Sequence, residues 1–287
     1  MTVDLHLHSV YSDGSDTPED IVAQAHAAGL TGIALTDHDI LDGLPAAAAA
    51  ARQQGIRFIG GTELSVAWGT EAMHMLVYFL EPGPGALQDR LAGLRDSRAH
   101  RNDEIVSRLC ALGLDITMDE VRREAGTGVV GRPHFAGVLI EKGYVETVPE
   151  AFDRYLAAGR PGYVPRMRLT AAEAITLSRE CGAVPVIAHP HTLNLNAREF
   201  ATGFRELVSL GLGGIEAYYG EYTPEMRTHI AQICDDLHIV ATGGSDYHGK
   251  YKPHLRIGSG KGDLRVPDDV VDQLEAARQP IPPAPEQ

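Results

Sequence analysis

The chain has 287 residues, 44% of them apolar, and its 25 basic and 39 acidic side chains give a formal net charge of −14 at pH 7. This composition excludes collagen-like, disordered and disulfide-scaffold classes, and the acidic balance argues against a surface that binds duplex nucleic acid. No apolar run approaches the roughly 20 residues that span a bilayer, and the N-terminus shows no secretion signal. We therefore expect a cytoplasmic protein with no membrane partner, and the sequence leaves its oligomeric state open.

Two segments, residues 1–82 and residues 169–279, alternate short apolar runs with helical patterns. Repeated strand–helix units predict a parallel sheet with right-handed crossovers, and about seven of them favour an α/β barrel over an open sheet. The predicted strands cover residues 3–7, 32–36, 57–60, 73–80, 184–188, 213–217 and 239–242. The predicted helices between them cover residues 17–28, 45–54, 170–181, 197–210 and 223–236.

The strand pattern is missing from residues 83–168, which predict helices broken by glycine and proline. This insertion begins with an arginine-rich helix near 85–112 and is slightly basic, whereas the rest of the chain is strongly acidic. We expect a helical insertion domain that acts as a substrate lid over the barrel mouth. The alternative is a purely structural excursion with solvated arginines. The proline-rich end, residues 280–287, is predicted to be a disordered tail.

Histidines and carboxylates recur at the ends of the predicted strands. His6 and His8 are two residues apart, so their side chains share one face of the first strand, and Asp246 and His248 repeat that spacing after the last strand. Nine ligand-type residues follow this pattern: His6, His8, Asp13, His38, Glu63, His74, His189, Asp246 and His248. In strand–helix barrels the carboxyl ends of the strands hold the active site.

Burying so many ionisable groups together is costly without compensation, and divalent cations provide it. Imidazole and carboxylate ligands without cysteine favour manganese, iron or zinc and hydrolytic chemistry. Nine ligands exceed the needs of one ion, so we expect two or three ions, with a carboxylate such as Glu63 bridging a pair. Two ions roughly 3.5–4 Å apart can hold a bridging hydroxide for an in-line displacement at phosphorus. The sequence contains no motif for nucleoside triphosphates, dinucleotides or serine hydrolases.

The segments that carry these ligands are DLHLHSVYSDG (4–14), TDHD (36–39), GTE (61–63), AHP (188–190) and GSDYH (244–248). In this order they resemble the motifs of the PHP (polymerase and histidinol phosphatase) family of metal-dependent phosphoesterases. The resemblance implies a distorted (β/α)7 TIM-like barrel with a trinuclear site. It assigns the first ion to His6, His8, Glu63 and Asp246, the second to Asp13, His38 and His248, and the third to Glu63, His74 and a later histidine, His189 or the competing His134.

The insertion resembles one branch of that family. The segments GRPHF (131–135) and GRPGYVP (159–165) are similar to the branch that includes 3′,5′-nucleoside bisphosphate phosphatases. This resemblance implies removal of the 3′-phosphate from a small nucleotide, with trimming of short RNA from the 5′ end as a related activity. Arg132 and His134 are candidates for holding the second phosphate, because a guanidinium fork matches phosphate oxygens. Arg160 and Arg166 are further candidates, and His191 either contacts the leaving phosphate or orients His189.

Three alternatives remain open. A histidinol-phosphate phosphatase would use the same metals on a cationic substrate and would need an acidic contact for the amine. A catalytically idle metal-binding module would hold metal without turnover, although the complete ligand set speaks against it. Amidohydrolase chemistry also suits a barrel with metals, but no lysine ends a central strand to serve as a carbamylated bridge.

Overall fold

A computed structural model of the protein describes residues 2–69, 71–83, 85–126, 130–165, 167–193 and 197–278. The chain divides into Met1–Arg90 with Arg168–Gln287, and Leu91–Met167; we call these the barrel unit and the helical unit. Arg166 and the tail predicted at 280–287 lie outside the described residues. None of the helices that the structure describes is long and apolar enough to cross a membrane.

One sheet forms the frame of the barrel unit. Its strands are β1 (Val3–Asp4), β2 (Gly32–Leu35), β3 (Arg57–Trp68), β4 (Glu71–Tyr78), β5 (Leu169–Thr170), β6 (Val184–Ile187), β7 (Gly214–Tyr219) and β8 (Val240–Gly244). Seven of them follow the order β1-β2-β3-β4-β6-β7-β8, and β5 pairs with β3. Backbone hydrogen bonds from Leu5 to Gly243 and from Asp246 to His6 join the two ends of this order. The sheet is therefore nearly closed, which confirms the predicted seven-stranded barrel.

The direction of β4 departs from the prediction. It runs antiparallel to both β3 and β6, whereas the sequence pattern predicts a parallel sheet throughout. Only residues 69 and 70 separate β3 from β4. A parallel pair needs a crossover of a dozen or more residues, so this connection permits only an antiparallel pair.

Strand β3 is also longer than predicted, because it continues past Gly60 and Gly61 to Trp68. The sequence predicts an end at Gly60. A β-carbon at Gly60 would lie 2.2 Å from the carbonyl oxygen of Leu80, and one at Gly61 would lie 2.8 Å from that of Val77. Glycine within a strand often marks such a close approach of a neighbouring backbone, and here it does not end the strand.

Several helices begin at a threonine whose side chain caps them. Thr17 and Asp20 form a reciprocal capping box at the start of the first helix, and Thr117 with Glu120 does the same in the helical unit. The helices are α1 (Pro18–Ala27), α2 (Leu44–Gln54), α3 (Ala86–Ala111), α4 (Met118–Ala125), α5 (Arg132–Glu141), α6 (Val148–Ala151), α7 (Ala171–Glu180), α8 (Ala197–Ser209), α9 (Pro224–Leu237) and α10 (Val270–Ala276). The six predicted helices correspond to α1, α2, α3, α7, α8 and α9.

Each unit has its own apolar core. In the barrel unit, Leu5, Leu76 and Tyr78 are fully buried in one cluster, and the hydroxyl of Tyr78 donates a hydrogen bond to the carbonyl oxygen of Leu5 at 2.9 Å. In the helical unit, Leu109 and Phe135 belong to a second cluster formed by α3, α4, α5 and the π-helical turn Phe152–Leu156. Whether the helical unit serves as a lid stays a prediction.

Candidate metal centre

All nine predicted ligands lie in the barrel unit, on strands or on the loops that follow them. Seven follow a strand: His6, His8 and Asp13 after β1, His38 after β2, His189 after β6, and Asp246 and His248 after β8. Glu63 and His74 lie within β3 and β4 instead of at the predicted strand end and start. Glu63 pairs with Leu76, and Ser65 pairs with His74. Glu63 and His74 are therefore diagonal neighbours on one face of the antiparallel pair.

Five imidazoles surround the carboxylate of Glu63, which is only 1% exposed. Oε2 of Glu63 lies 3.1 Å from His6 Nε2, 3.1 Å from His8 Nε2 and 3.4 Å from His38 Nδ1. Oε1 lies 2.9 Å from His74 Nδ1 and 3.0 Å from His189 Nε2. Both carboxylate oxygens thus face ring nitrogens from several strands. Glu63 is the shared centre of the cluster.

Two further carboxylates complete the cluster on either side of His248. Asp13 Oδ1 lies 3.2 Å from His248 Nε2, and Asp13 Oδ2 lies 3.5 Å from His38 Nε2. Asp246 Oδ1 lies 3.4 Å from His248 Nδ1 and 3.5 Å from His8 Nε2. The structure therefore joins all nine predicted residues in one continuous set of carboxylate–imidazole contacts.

The arrangement of donor atoms fits divalent cations. Three overlapping groups have ligand atoms within 4.8 Å of one another: His8, Asp13, His38 and His248; His6, His8 and Glu63; and His38, Glu63 and His74. In the described part of the chain, four buried ring nitrogens of the cluster lack a hydrogen bond of suitable geometry, although the first three lie within 3.4 Å of Glu63: His8 Nε2, His38 Nδ1, His74 Nδ1 and His189 Nδ1. Unpaired buried polar atoms are costly, and metal coordination satisfies such nitrogens.

Burial and neighbouring charges set the protonation of these groups. Burial, together with the neighbouring His248 imidazole, lowers the pKa of His8 to about 3. Burial opposes ionisation of Glu63 and Asp13, yet the surrounding imidazoles hold the pKa of each carboxyl below its ordinary range. Burial alone would lower the pKa of His6, but three nearby carboxylates raise it well above the ordinary value. The carboxylates are thus in the ionised form that ligates metal.

Sequence reasoning missed the residues that hold the ligands in place. Glu216 in β7 is fully buried; its Oε1 lies 2.8 Å from His6 Nδ1, and its Oε2 accepts a hydrogen bond from the backbone of His189 at 2.8 Å. Tyr219 and Lys252 both donate to Oδ2 of Asp246. The sequence feature that could have indicated Glu216 is a single carboxylate within the apolar stretch GIEAYY.

Two acids within the motif segments also have structural partners. Asp4 is fully buried and accepts hydrogen bonds from the backbones of Ser245 and Gly258 at 2.8 and 2.7 Å, and burial raises its pKa to about 6. Asp37 accepts hydrogen bonds from Ser9 at 2.7 Å. These contacts tie the loop after β1 and the loop after β8 to the frame that carries the ligands.

The backbone is strained where it presents several of these residues. Asp39, His189 and Asp246 have φ angles of 55°, 27° and 56°. Residues other than glycine seldom adopt this left-handed region, and such conformations concentrate at functional sites. The surrounding contacts of Asp246 and His189 hold them in place against this preference.

The predicted substrate contacts have partners within their own units. Arg132 begins α5; its guanidinium lies over the rings of Phe152 and Tyr163, and one nitrogen donates to the carbonyl of Leu156 at 3.1 Å. His134 Nδ1 accepts a hydrogen bond from the backbone of Gly131 at 3.0 Å.

Two other predicted contacts are exposed, one in each unit. Arg160 lies 3.2 Å from Asp153 in the helical unit. His191 in the barrel unit has its Nδ1 3.1 Å from the hydroxyl of Tyr222, and its ring centre is 6.3 Å from that of His189. His191 thus adjoins the cluster of nine.

Comparison with known proteins identifies the family. The PHP domain matches residues 4–160. The 3′,5′-nucleoside bisphosphate phosphatase of Chromobacterium violaceum is 33% identical over 247 residues, which cover 86% of this chain and 87% of that protein. The chain belongs to the PHP-domain family. This confirms the resemblance that the sequence motifs indicated.

Other relatives agree with this PHP assignment. The 5′-3′ exoribonuclease Rnm of Salmonella typhimurium is 32% identical over 247 residues, covering 85% of this chain and 84% of that protein. The solved structure of an amidohydrolase from Chromobacterium violaceum, with bound sulfate and no metal, covers 100% of both chains with a TM-score of 0.78 and 30% identity. With its cluster of histidines and acids, this PHP protein is a metal-dependent phosphoesterase, a hydrolase that acts on phosphate esters.

Proposed function

We propose that this PHP protein removes the 3′-phosphate from 3′,5′-bisphosphorylated nucleosides. The observation that carries the proposal is the convergence of six imidazoles on the carboxylates of Glu63, Asp13 and Asp246. Such a set has donors for more than one divalent ion, the arrangement that phosphoester hydrolysis favours. The relative named for this activity shares 33% identity over 86% of the chain, which favours the bisphosphate among phosphate esters.

Manganese, iron or zinc ions are proposed at three positions. We assign the first to His6, His8, Glu63 and Asp246, the second to Asp13, His38 and His248, and the third to Glu63, His74 and His189. The contacts of Glu63 with both His6 and His74 support its role as the shared ligand. His189 is favoured over His134 because His189 Nε2 lies 3.0 Å from Glu63 Oε1.

When bound, divalent ions supply a nucleophile from water at neutral pH and stabilise negative charge on phosphoryl oxygens. The chain's own residues prepare the site for that chemistry. Glu63 and Asp13 are held ionised by the imidazoles around them. Tyr219 and Lys252 hold Oδ2 of Asp246, so Oδ1 faces His8. Because these groups are fixed before substrate binds, little reorganisation is needed in the transition state.

The second phosphate of the substrate is assigned to Arg132. Its guanidinium already lies over two aromatic rings, so little conformational freedom is lost when it binds phosphate. His134, Arg160 and Arg166 are proposed as further contacts. His191 is proposed at the leaving phosphate, with Nε2 as the contacting atom because Nδ1 is held by Tyr222.

The test is phosphate release by protein loaded with Mn²⁺ from adenosine 3′,5′-bisphosphate, AMP and histidinol phosphate in parallel. We expect the bisphosphate to be strongly preferred and AMP to be its nucleotide product. Preference for histidinol phosphate would contradict the nucleotide assignment while keeping the metal centre. Metal binding without turnover of any phosphoester would instead support an idle binding module.

Short RNA is a second candidate substrate, favoured by the 32% identity with the exoribonuclease Rnm. A short oligoribonucleotide with a 5′-phosphate, added to the same assay, tests it. Stepwise release of mononucleotides at a rate comparable to bisphosphate hydrolysis would make RNA trimming part of the activity. An unchanged oligonucleotide would limit the substrate to mononucleotides.

A further inference from the structure

One buried carboxylate contacts two different residues of the metal centre. Glu216 lies in β7 at an irregularity of its pairing with β8, and its side chain is fully buried. Oε1 lies 2.8 Å from Nδ1 of His6, and Oε2 accepts a hydrogen bond from the backbone nitrogen of His189 at 2.8 Å. Each oxygen of Glu216 therefore engages a different proposed ligand.

The contact with His6 determines which ring nitrogen faces the cluster. An imidazole that ligates a metal through Nε2 carries its proton on Nδ1, and Oε1 of Glu216 is placed to accept a hydrogen bond from that nitrogen. Nε2 is left as the ligating atom, and it lies 3.1 Å from Oε2 of Glu63. A carboxylate that accepts from a histidine fixes the tautomer and the orientation of the ring toward a metal.

The contact with His189 acts on the backbone. His189 has a φ of 27°, in a region that residues other than glycine seldom adopt. Glu216 accepts a hydrogen bond from the backbone N–H of His189. The ring of His189 extends toward Glu63, and its Nε2 lies 3.0 Å from Oε1 of that carboxylate. Glu216 thus stabilises the turn that presents the second ring.

We propose that Glu216 is a positioning residue that aligns His6 and His189 for two metal positions at once. This inference rests on the proposed metal assignment and adds a residue that contacts no substrate. The group His8, Asp13, His38 and His248 includes neither partner of Glu216. Loss of Glu216 should therefore weaken metal binding at the positions that use His6 and His189, and should leave binding by the group around His248 unchanged.

The experiment is a Zn²⁺ titration of wild-type and Glu216→Gln protein against a competing chelator. Glutamine keeps the size of the side chain, but its amide has one acceptor oxygen and places an NH2 group against a donor. We expect part of the bound Zn²⁺ to be held about 10- to 100-fold more weakly, while at least one equivalent keeps its wild-type affinity. Glu221→Gln is the matched control, since Glu221 pairs with two exposed side chains, Lys261 and His254, and we expect wild-type titration.

Equal weakening of every equivalent would indicate a general disturbance of the fold and overturn the proposal, as would unchanged affinity. If Glu216→Gln does not fold, nitrogen-15 NMR of the wild-type Zn²⁺ protein decides. A protonated Nδ1 of His6 supports the proposal, and an unprotonated Nδ1 overturns it. Neither measurement uses a substrate, so a failure to hydrolyse bisphosphates would overturn the proposed function and leave this inference standing.

Discussion

The barrel unit buries several charged side chains, whereas the ion pairs of the helical unit lie at its surface. In the barrel unit Glu63, Glu216 and Asp246 are at most 3% exposed. In the helical unit the arginine–glutamate pairs at 104/108 and 150/154 are solvent-exposed, and among its described residues only Arg101 and Asn102 are buried polar groups. Buried charges cost free energy unless they are compensated. The barrel interior is therefore arranged for ligand binding, whereas the interior of the helical unit is mainly apolar.

The largest expected effect comes from removing a buried charge of the barrel unit. Asp246→Ala takes a carboxylate from contact with His8 and His248. Turnover of a phosphoester should fall by more than the roughly 10- to 100-fold that loss of an outer metal contact costs, with circular dichroism unchanged. Asp236→Ala, an exposed position, is the control. Wild-type turnover in Asp246→Ala would remove that residue from the metal centre.

A buried apolar residue of the helical unit should affect stability instead. Phe135 is fully buried in the helical core, and Phe135→Ala should reduce the free energy of unfolding by about 3–5 kcal/mol. Denaturant titration measures this loss. Zn²⁺ affinity of the folded variant should remain that of the wild type, and a large fall in affinity would contradict the separation between the units.

The Arg132→Ala variant tests whether the helical unit contributes to substrate specificity. If its guanidinium binds the second phosphate, Arg132→Ala should lose a charge-assisted hydrogen bond worth about 1.5–3 kcal/mol. The value of kcat/KM for adenosine 3′,5′-bisphosphate should then fall roughly 10- to 150-fold, with a much smaller change for a generic aryl phosphate. Equal losses on both substrates would show that Arg132 has a different role.

The smallest expected effect is the loss of stability when a helix cap is removed, and each unit offers an equivalent threonine for this test. Thr117 and Thr170 each accept a hydrogen bond at the start of a helix, from Glu120 and Glu173. Replacing either threonine by alanine should cost about 1 kcal/mol of stability, measured by thermal unfolding, and should leave turnover unchanged. A loss of turnover in Thr117→Ala alone would show that the order of α4 matters to the reaction.

The barrel and the nine candidate ligands could be predicted from the sequence because strand ends and two-residue spacings are local features. His6 and His8 needed only the alternation of a strand. The direction of β4 and the extension of β3 past Gly60 depend on neighbouring strands, so local patterns predicted them wrongly. Glu216 was missed for the same reason: its partners, His6 and His189, are distant in sequence. The roles of Arg132 and His191 toward a substrate stay predictions.

The helical unit occupies one uninterrupted stretch of the chain, Leu91–Met167, between the sixth and seventh residues of the proposed ligand set, His74 and His189. All nine ligand codons therefore lie outside the segment that encodes it. Two crossovers, one between His74 and Leu91 and one between Met167 and His189, would exchange the whole unit. A lineage with this gene organisation can acquire a new helical segment without rebuilding any part of the histidine and carboxylate set.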